Sequence, residues 1–249
     1  MTTLSVNLNK VALLRNARGG CSPDLLEAAR LVIAAGVRSI TVHPRSDGRH
    51  ITLDDVIALR HLPLIRDGQV ELNVEADLRQ PIIDLVSCIR PTQYTIVPSV
   101  PGELTSMRGW RTYDDQERLR QVVARLKSIC RLSIFCDPEE SAVVFLQQTG
   151  VHAVEINTRL YAESWERKEH AAPLAEIRKV ALTAVRSGLR VHGGHDLTLQ
   201  NLPELLAQVR FDELSIGHHL ISEAVLLGLA QIVPSYLSLI AEKKSSVCP

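Results

Sequence analysis

The sequence predicts a (β/α)8 barrel, the TIM-barrel architecture of the α/β class, and three observations carry that expectation. Eight short β-branched or alternating runs are each followed by a stretch with helix-start and helix-stop residues. The 249 residues are the length such a barrel needs. No Pro/Gly/Ser-rich linker, composition shift or low-complexity tract divides the chain, so residues 1–249 read as a single domain. The competing architecture, an open doubly wound sheet, wants a glycine fingerprint after its first strand. Arg18-Gly19-Gly20 is not G-x-G-x-x-G.

Leu4 to Asn9 alternates apolar and polar residues, the period of a strand. Ser22-Pro23-Asp24 supplies capping residues and a proline before the apolar run from Leu25, and Gly36 closes that helix. Ile40-Thr41-Val42 is the second strand, ended by His43-Pro44 because proline cannot donate to a ladder. A helix over about Leu53 to Leu64 follows, capped by Thr52 or Asp54. The third strand runs Val70 to Glu75 with a helix from Leu78 to Ile89. The fourth, Tyr94 to Val97, stops at Pro98 and leads into a polar loop, Ser99 to Arg111. A helix from about Asp114 to Ile129 precedes the fifth strand, Leu132 to Cys136, and Asp137-Pro138-Glu139-Glu140 starts the next helix. The sixth strand is Ala153 to Asn157. The charged stretch from Arg159 to His170 reads as a loop leading to a helix that ends at Ser187-Gly188. Leu189 to His192 is the seventh strand, Asn201 to Val209 a short helix, and Glu213 to Ile216 the eighth strand. A helix from about Ser222 to Ala241 closes the pattern.

Composition narrows the function. Basic and acidic residues balance at 28 each and aromatics are 4%, which argues against a nucleic-acid surface or a base-stacking platform. No run approaches membrane-spanning length and no secretory leader is visible, so no membrane partner is expected. The five cysteines are scattered and form no C-x-x-C, which suits reduced thiols in a cytoplasm.

In a barrel, residues at the C-terminal ends of the strands meet in one cup. That rule gathers Asn7, Asn9, Lys10, His43, Arg45, Glu71, Glu155, His195, Gly217 and His218. Singly, each has an ordinary structural explanation; polar groups at most of the strand ends are harder to dismiss together. Histidine and a carboxylate in a partly dry cup are suited to acid–base work. Gly193-Gly194-His195-Asp196 and Gly217-His218 lie where barrels present backbone N–H groups to phosphate. Arg18, Arg45 and His50 could seat a second anion. Two anion sites flanking acid–base groups point to two phosphorylated small molecules, or one bisphosphate.

The runs Ser5-Val6-Asn7, Leu14 to Gly19 (LRNARG), Thr41 to Arg45 with Arg49-His50-Ile51, Gly194-His195-Asp196-Leu197 and Ser215-Ile216-Gly217-His218 resemble the pyridoxine 5′-phosphate synthase family. The likeness extends from Leu4 to about Gly228 in the same order. It implies condensation of 1-deoxy-D-xylulose 5-phosphate with 3-amino-2-oxopropyl phosphate to pyridoxine 5′-phosphate, phosphate and water, with no cofactor or metal. It also implies a homo-oligomer, an octamer in known members. By resemblance, His43 and Glu71 are proton acceptors and His195 a proton donor. Asn7, Arg18, Asp196, Gly217 and His218 would hold the amino-ketone phosphate; Arg45, His50 and Thr105 would hold the deoxyxylulose phosphate, and Glu155 would support. The chain departs from many members at Asn9-Lys10, where they read Asp-His, at Asp196, where they read Gly, and at His192, where a small polar residue is usual. A branch of the family shares Asn-Lys and His-Asp. A Schiff-base phosphosugar aldolase using Lys10 and a non-catalytic phosphometabolite-binding barrel are the alternatives.

Overall fold

In the computed structural model, which describes residues 2–98, 107–111 and 115–242, the eight strands close into one parallel barrel in sequence order. They are β1 (Thr3–Asn7), β2 (Ser39–Val42), β3 (Glu71–Ala76), β4 (Gln93–Ile96), β5 (Arg131–Cys136), β6 (Ala153–Asn157), β7 (Arg190–Gly194) and β8 (Glu213–Ile216). The last strand pairs with the first, Ser215 opposite Ser5. Around them run α1 (Asn9–Asn16), α2 (Leu25–Ala34), α3 (Leu53–Arg60), α4 (Pro63–Arg66), α5 (Gln80–Ile89), α6 (Gln116–Leu126) and α7 (Glu140–Thr149). After β6 come α8 (Arg159–Trp165), α9 (Ala171–Arg186), α10 (Leu202–Gln208), α11 (His218–Leu227) and α12 (Leu229–Glu242).

Local chemistry accounts for the boundaries. Asp24 accepts the Glu27 amide at 2.9 Å to start α2, and Thr52 and Asp55 exchange bonds in a capping box at α3. The single helix expected over 53–64 is two, because Leu62 before Pro63 is held extended. The single C-terminal helix is likewise two, parted by Gly228 at φ +85°. Two helices were unforeseen: α1, directly after β1, and α8, within the charged stretch read as a loop.

The strands alternate although both faces are covered, and the reason is a polar barrel interior. Val6, Ile40, Leu72, Val74, Leu132, Ile134, Val154, Ile156 and Leu214 are buried among the apolar core. The alternate positions Ser5, Ser39, Thr41, Asn73, Gln93, Thr95, Ser133, Glu155, His192 and Glu213 are buried polar groups. Most bond to one another: Ser5 to Thr41 at 2.7 Å, Asn73 to Thr41 at 3.2 Å, Thr95 to Asn73 at 3.0 Å, Gln93 to Glu213 at 3.1 Å. Such a network specifies register as well as packing, since a slip of one residue would bury these groups against the apolar layer without partners.

Candidate active site

The C-terminal ends of the strands open on a cavity of about 480 Å³. β1 delivers Asn7, whose Oδ1 accepts the Asn9 amide at 3.0 Å while its Nδ2 donates to Glu75 at 3.2 Å. Asn9, starting α1, accepts the His43 amide on its Oδ1 at 2.7 Å and so fixes the chain where β2 ends. His43 Nδ1 lies 4.0 Å from Glu75 Oε2, and Ser215 Oγ donates to the other oxygen of Glu75 at 3.4 Å. Glu155 projects from β6, and among the described residues its Oε2 has no hydrogen-bond partner. Gly194 leaves that carboxyl its place: a Cβ there would come within 2.6 Å of Glu155 Oε1.

Electrostatics sort these groups. Burial, with help from Glu213, raises Glu75 to about 7, so it can hold or release a proton near neutrality. Burial and the neighbouring carboxylates Glu75 and Glu213 push Glu155 well above its ordinary value, which favours its neutral form. His43 is driven well below its ordinary value by burial, then by His50 and Arg45, and is a neutral base. His195 is also lowered, first by burial; its ring stacks on Phe135 with centroids 4.7 Å apart. The backbone at His195 and Asp196 takes φ +85° and +56°, conformations unusual for side-chain-bearing residues, and Thr158 Oγ1 anchors them by donating to the His195 carbonyl at 2.6 Å.

A cationic patch and a helix N-terminus flank this acid–base centre. On one side stand Arg45, Arg49 and His50 with Lys10. The Ile51 amide donates to His50 Nδ1 at 2.9 Å, which leaves the proton of a neutral imidazole on Nε2. Burial and then Arg45 hold His50 at about 4. On the other side, Gly217 opens α11, and Asp196, His218 and His219 stand around that helix start. A Cβ on Gly217 would lie 2.9 Å from the Asn7 Cβ, so only glycine lets β8 pass so close to β1 here.

A family model described as "Pyridoxal phosphate biosynthesis protein PdxJ" matches residues 4–242. The pyridoxine 5′-phosphate synthase of Christiangramia forsetii is 41% identical over 244 residues, covering 96% of this chain and 100% of the relative. That of Xanthomonas campestris pv. campestris is 41% identical over 249 residues, covering 96% of each. The chain belongs to the pyridoxine 5′-phosphate synthase family. Among solved structures, phosphoribosyl anthranilate isomerase from Thermus thermophilus matches with TM-score 0.59 at 13% identity, over 97% of this chain and 99% of that one. A structure titled "Native KDPGal structure" matches with TM-score 0.61 at 11% identity, over 96% and 95%. These two likenesses concern the barrel alone.

The family resemblance named site residues, and the structure brings most of them to one mouth. Asn7, Asn9, Lys10, His43, Arg45, His50, Glu155, His195, Asp196, Gly217 and His218 all line the cavity. Glu71 does not. It is the first residue of β3, at the opposite end of the barrel, bonded to Arg131 of β5. The correction is one of position along the strand: Glu71, Asn73 and Glu75 share one face, but only Glu75 stands at the C-terminal end. Arg18 sits exposed on the turn after α1, outside the cavity lining. Thr105 lies outside the described residues. Sequence reasoning missed Glu75, Phe135, Ser215 and His219; the first three each stand one residue before a strand C-terminus and were available to the same rule.

Proposed function

We propose that this barrel mouth carries out the family's ring-forming reaction, the condensation of 1-deoxy-D-xylulose 5-phosphate with 3-amino-2-oxopropyl phosphate to pyridoxine 5′-phosphate, phosphate and water. The single observation that carries the reading is the pairing of neutral His43 with Glu75 in one cavity, flanked by the cations Arg45, Arg49 and Lys10 on one side and by the α11 N-terminus on the other. Joining an amine to a ketone with loss of water, then closing the ring, is a series of proton transfers. Neutral His43 is suited to take the proton shed by the attacking amine. Glu75, poised near neutrality, can remove a proton in a later step and return it. Glu155, whose neutral form burial favours, can in that form donate a hydrogen bond to an oxygen that gains charge. His195, which lines the same cavity, would pass a proton to a departing oxygen.

Arg45, Arg49 and His50 suit the phosphate of deoxyxylulose phosphate, and the α11 N-terminus with the Asp196 and Gly217 backbone suits that of the amino-ketone. The homo-oligomer belongs to the same proposal. Val225, Leu226 and Leu227 on α11 are 71%, 84% and 51% exposed, an apolar run that a second copy would cover. No helix among the described residues is long and apolar enough to cross a membrane, and the scattered cysteines support a cytoplasmic setting.

The test is formation of pyridoxine 5′-phosphate from the two purified substrates. Borohydride treatment with either substrate alone distinguishes the aldolase alternative: no reduced adduct is expected on Lys10, and Lys10→Met should raise KM for deoxyxylulose phosphate while leaving some turnover. A trapped Lys10 adduct with abolished activity would favour the aldolase reading.

A further inference from the structure

Asp196 places a carboxylate where a phosphate is expected to sit, and the roles above leave that acid unexplained. Its φ of +56° turns it into the cavity wall after β7, and its carbonyl accepts the Asn201 side-chain amide at 3.1 Å. Asp196 Oδ1 stands 3.9 Å from His219 Nε2, both side chains part-open to the cavity. His219 is the second residue of α11, a ten-residue helix whose N-cap, Gly217, offers no side chain to its first amides. A cation at a helix N-terminus is disfavoured by the aligned peptide dipoles, so nothing in α11 itself would protonate His219. Across the gap, Asp196 supplies the opposing field.

We propose that Asp196 and His219 form a counter-ion pair that makes the α11 phosphate seat proton-linked, with His219 a positioning residue that neutralises Asp196 when the phosphate binds. The proposal rests on the assignment of that seat to the amino-ketone phosphate. A phosphate at the α11 amides and the Asp196 carboxylate are like charges in one small space. Unless a proton is taken up nearby, they repel. The charged and titratable groups lining this side of the cavity are His195 and Asp196 just after β7, His218 and His219 on α11, and Lys10 on α1; burial holds His195 below its ordinary value. Lys10 is already a cation and has no proton to gain. His218, its ring 5.1 Å from that of His219, is held below its ordinary value by burial, then by His219 and Lys10. His219 is the group left to take the proton, directly beside the acid it must offset.

The experiment compares wild type, His219→Ala, Asp196→Gly and the double variant. In His219→Ala the carboxylate is uncompensated, so KM for 3-amino-2-oxopropyl phosphate should rise by at least about tenfold. Turnover at saturation and KM for deoxyxylulose phosphate should stay within about twofold. Adding Asp196→Gly should restore the lost affinity, since the charge that needed neutralising is gone. A purely structural role for His219 predicts a double variant no better than the single. In parallel, inorganic phosphate should raise the His219 pKa of wild type, followed by histidine ring NMR, and should move it much less in Asp196→Gly. An unchanged KM in His219→Ala, or no rescue in the double variant, overturns the pair. If wild type forms no product yet phosphate still raises the His219 pKa, the pair stands and the assigned reaction falls. Product formation with a His219 pKa indifferent to phosphate does the reverse.

Discussion

Glu75 and Glu71 share a strand face and a side chain, and four residues of separation give them opposite work. Glu75→Gln keeps the shape and an acceptor for Asn7 Nδ2 while removing the titrating proton; turnover should fall at least about 10²-fold with little change in substrate affinity. Glu71→Gln should leave turnover nearly unchanged, because Glu71 meets Arg131 at the far end. Equal losses in both would mean the mouth has been misread. The pH–rate profile follows from the same residue. Glu75 works as a base only when ionised, so kcat/KM should fall as pH drops through about 7, whereas His43, lowered well below its ordinary value, stays neutral there. An acid limb appearing only near pH 5 would contradict this. Arg45→Lys keeps the charge and loses the planar fork. It should raise KM for deoxyxylulose phosphate more than for the amino-ketone, and equal effects would argue against two separate seats.

At the scale of elements, glycines mark where the backbone takes paths closed to other residues. Gly228 has φ +85° and ψ 146°, with open space where a side chain would be. Gly228→Ala should therefore cost about 1–3 kcal/mol through backbone strain alone, read as a lower urea midpoint with an unchanged slope. Gly194 is the contrasting case, since its extra methyl would strike Glu155 Oε1. Gly194→Ala should lower turnover by displacing the Glu155 carboxyl, and circular dichroism should show the barrel retained.

For the whole molecule, the polar interior makes stability depend on pH in a way an apolar barrel would not. Glu213 is raised to about 7, first by burial, with Arg131 opposing and Glu71 adding to the rise. A carboxyl raised in the folded state stabilises the fold while protonated, so its contribution is full below its unfolded value and is lost as pH rises through about 7. Glu213→Gln cannot ionise and should match wild type near the acid end of that window. By pH 8 it should be the more stable protein, by up to about 3 kcal/mol in chemical denaturation. His50 and His192, lowered to about 4 and about 3, act in the other direction: their contribution is full above the ordinary imidazole value and is lost as pH falls toward the lowered ones. Thermal denaturation of Glu213→Gln at pH 5 and pH 8 checks the sign; a wild type that gains on the variant with rising pH would refute it.

The barrel, its strand order and most of the mouth were legible in the sequence because they depend on local periodicity and on one rule of position. Alternation placed the sixth strand at Ala153–Asn157, and the run of capping residues placed α2 and α3. His43, His195 and Gly217 followed from lying just past strand ends, and Glu155 from lying two residues before one. What alternation cannot supply is depth: Glu71 and Glu75 are equivalent to a period of two, and only the closed sheet says which is at the open mouth and which is locked to Arg131. The polarity of the barrel interior likewise needed closure, since alternating strands read equally well as half-solvated ones. The Asp196–His219 pair is a meeting of residues 23 positions apart across two loops, and no local pattern encodes it. Side-chain type and spacing are local properties and are written in the chain, whereas proximity across a cavity and the loss of solvent that moves a pKa arise only when distant strands are brought together.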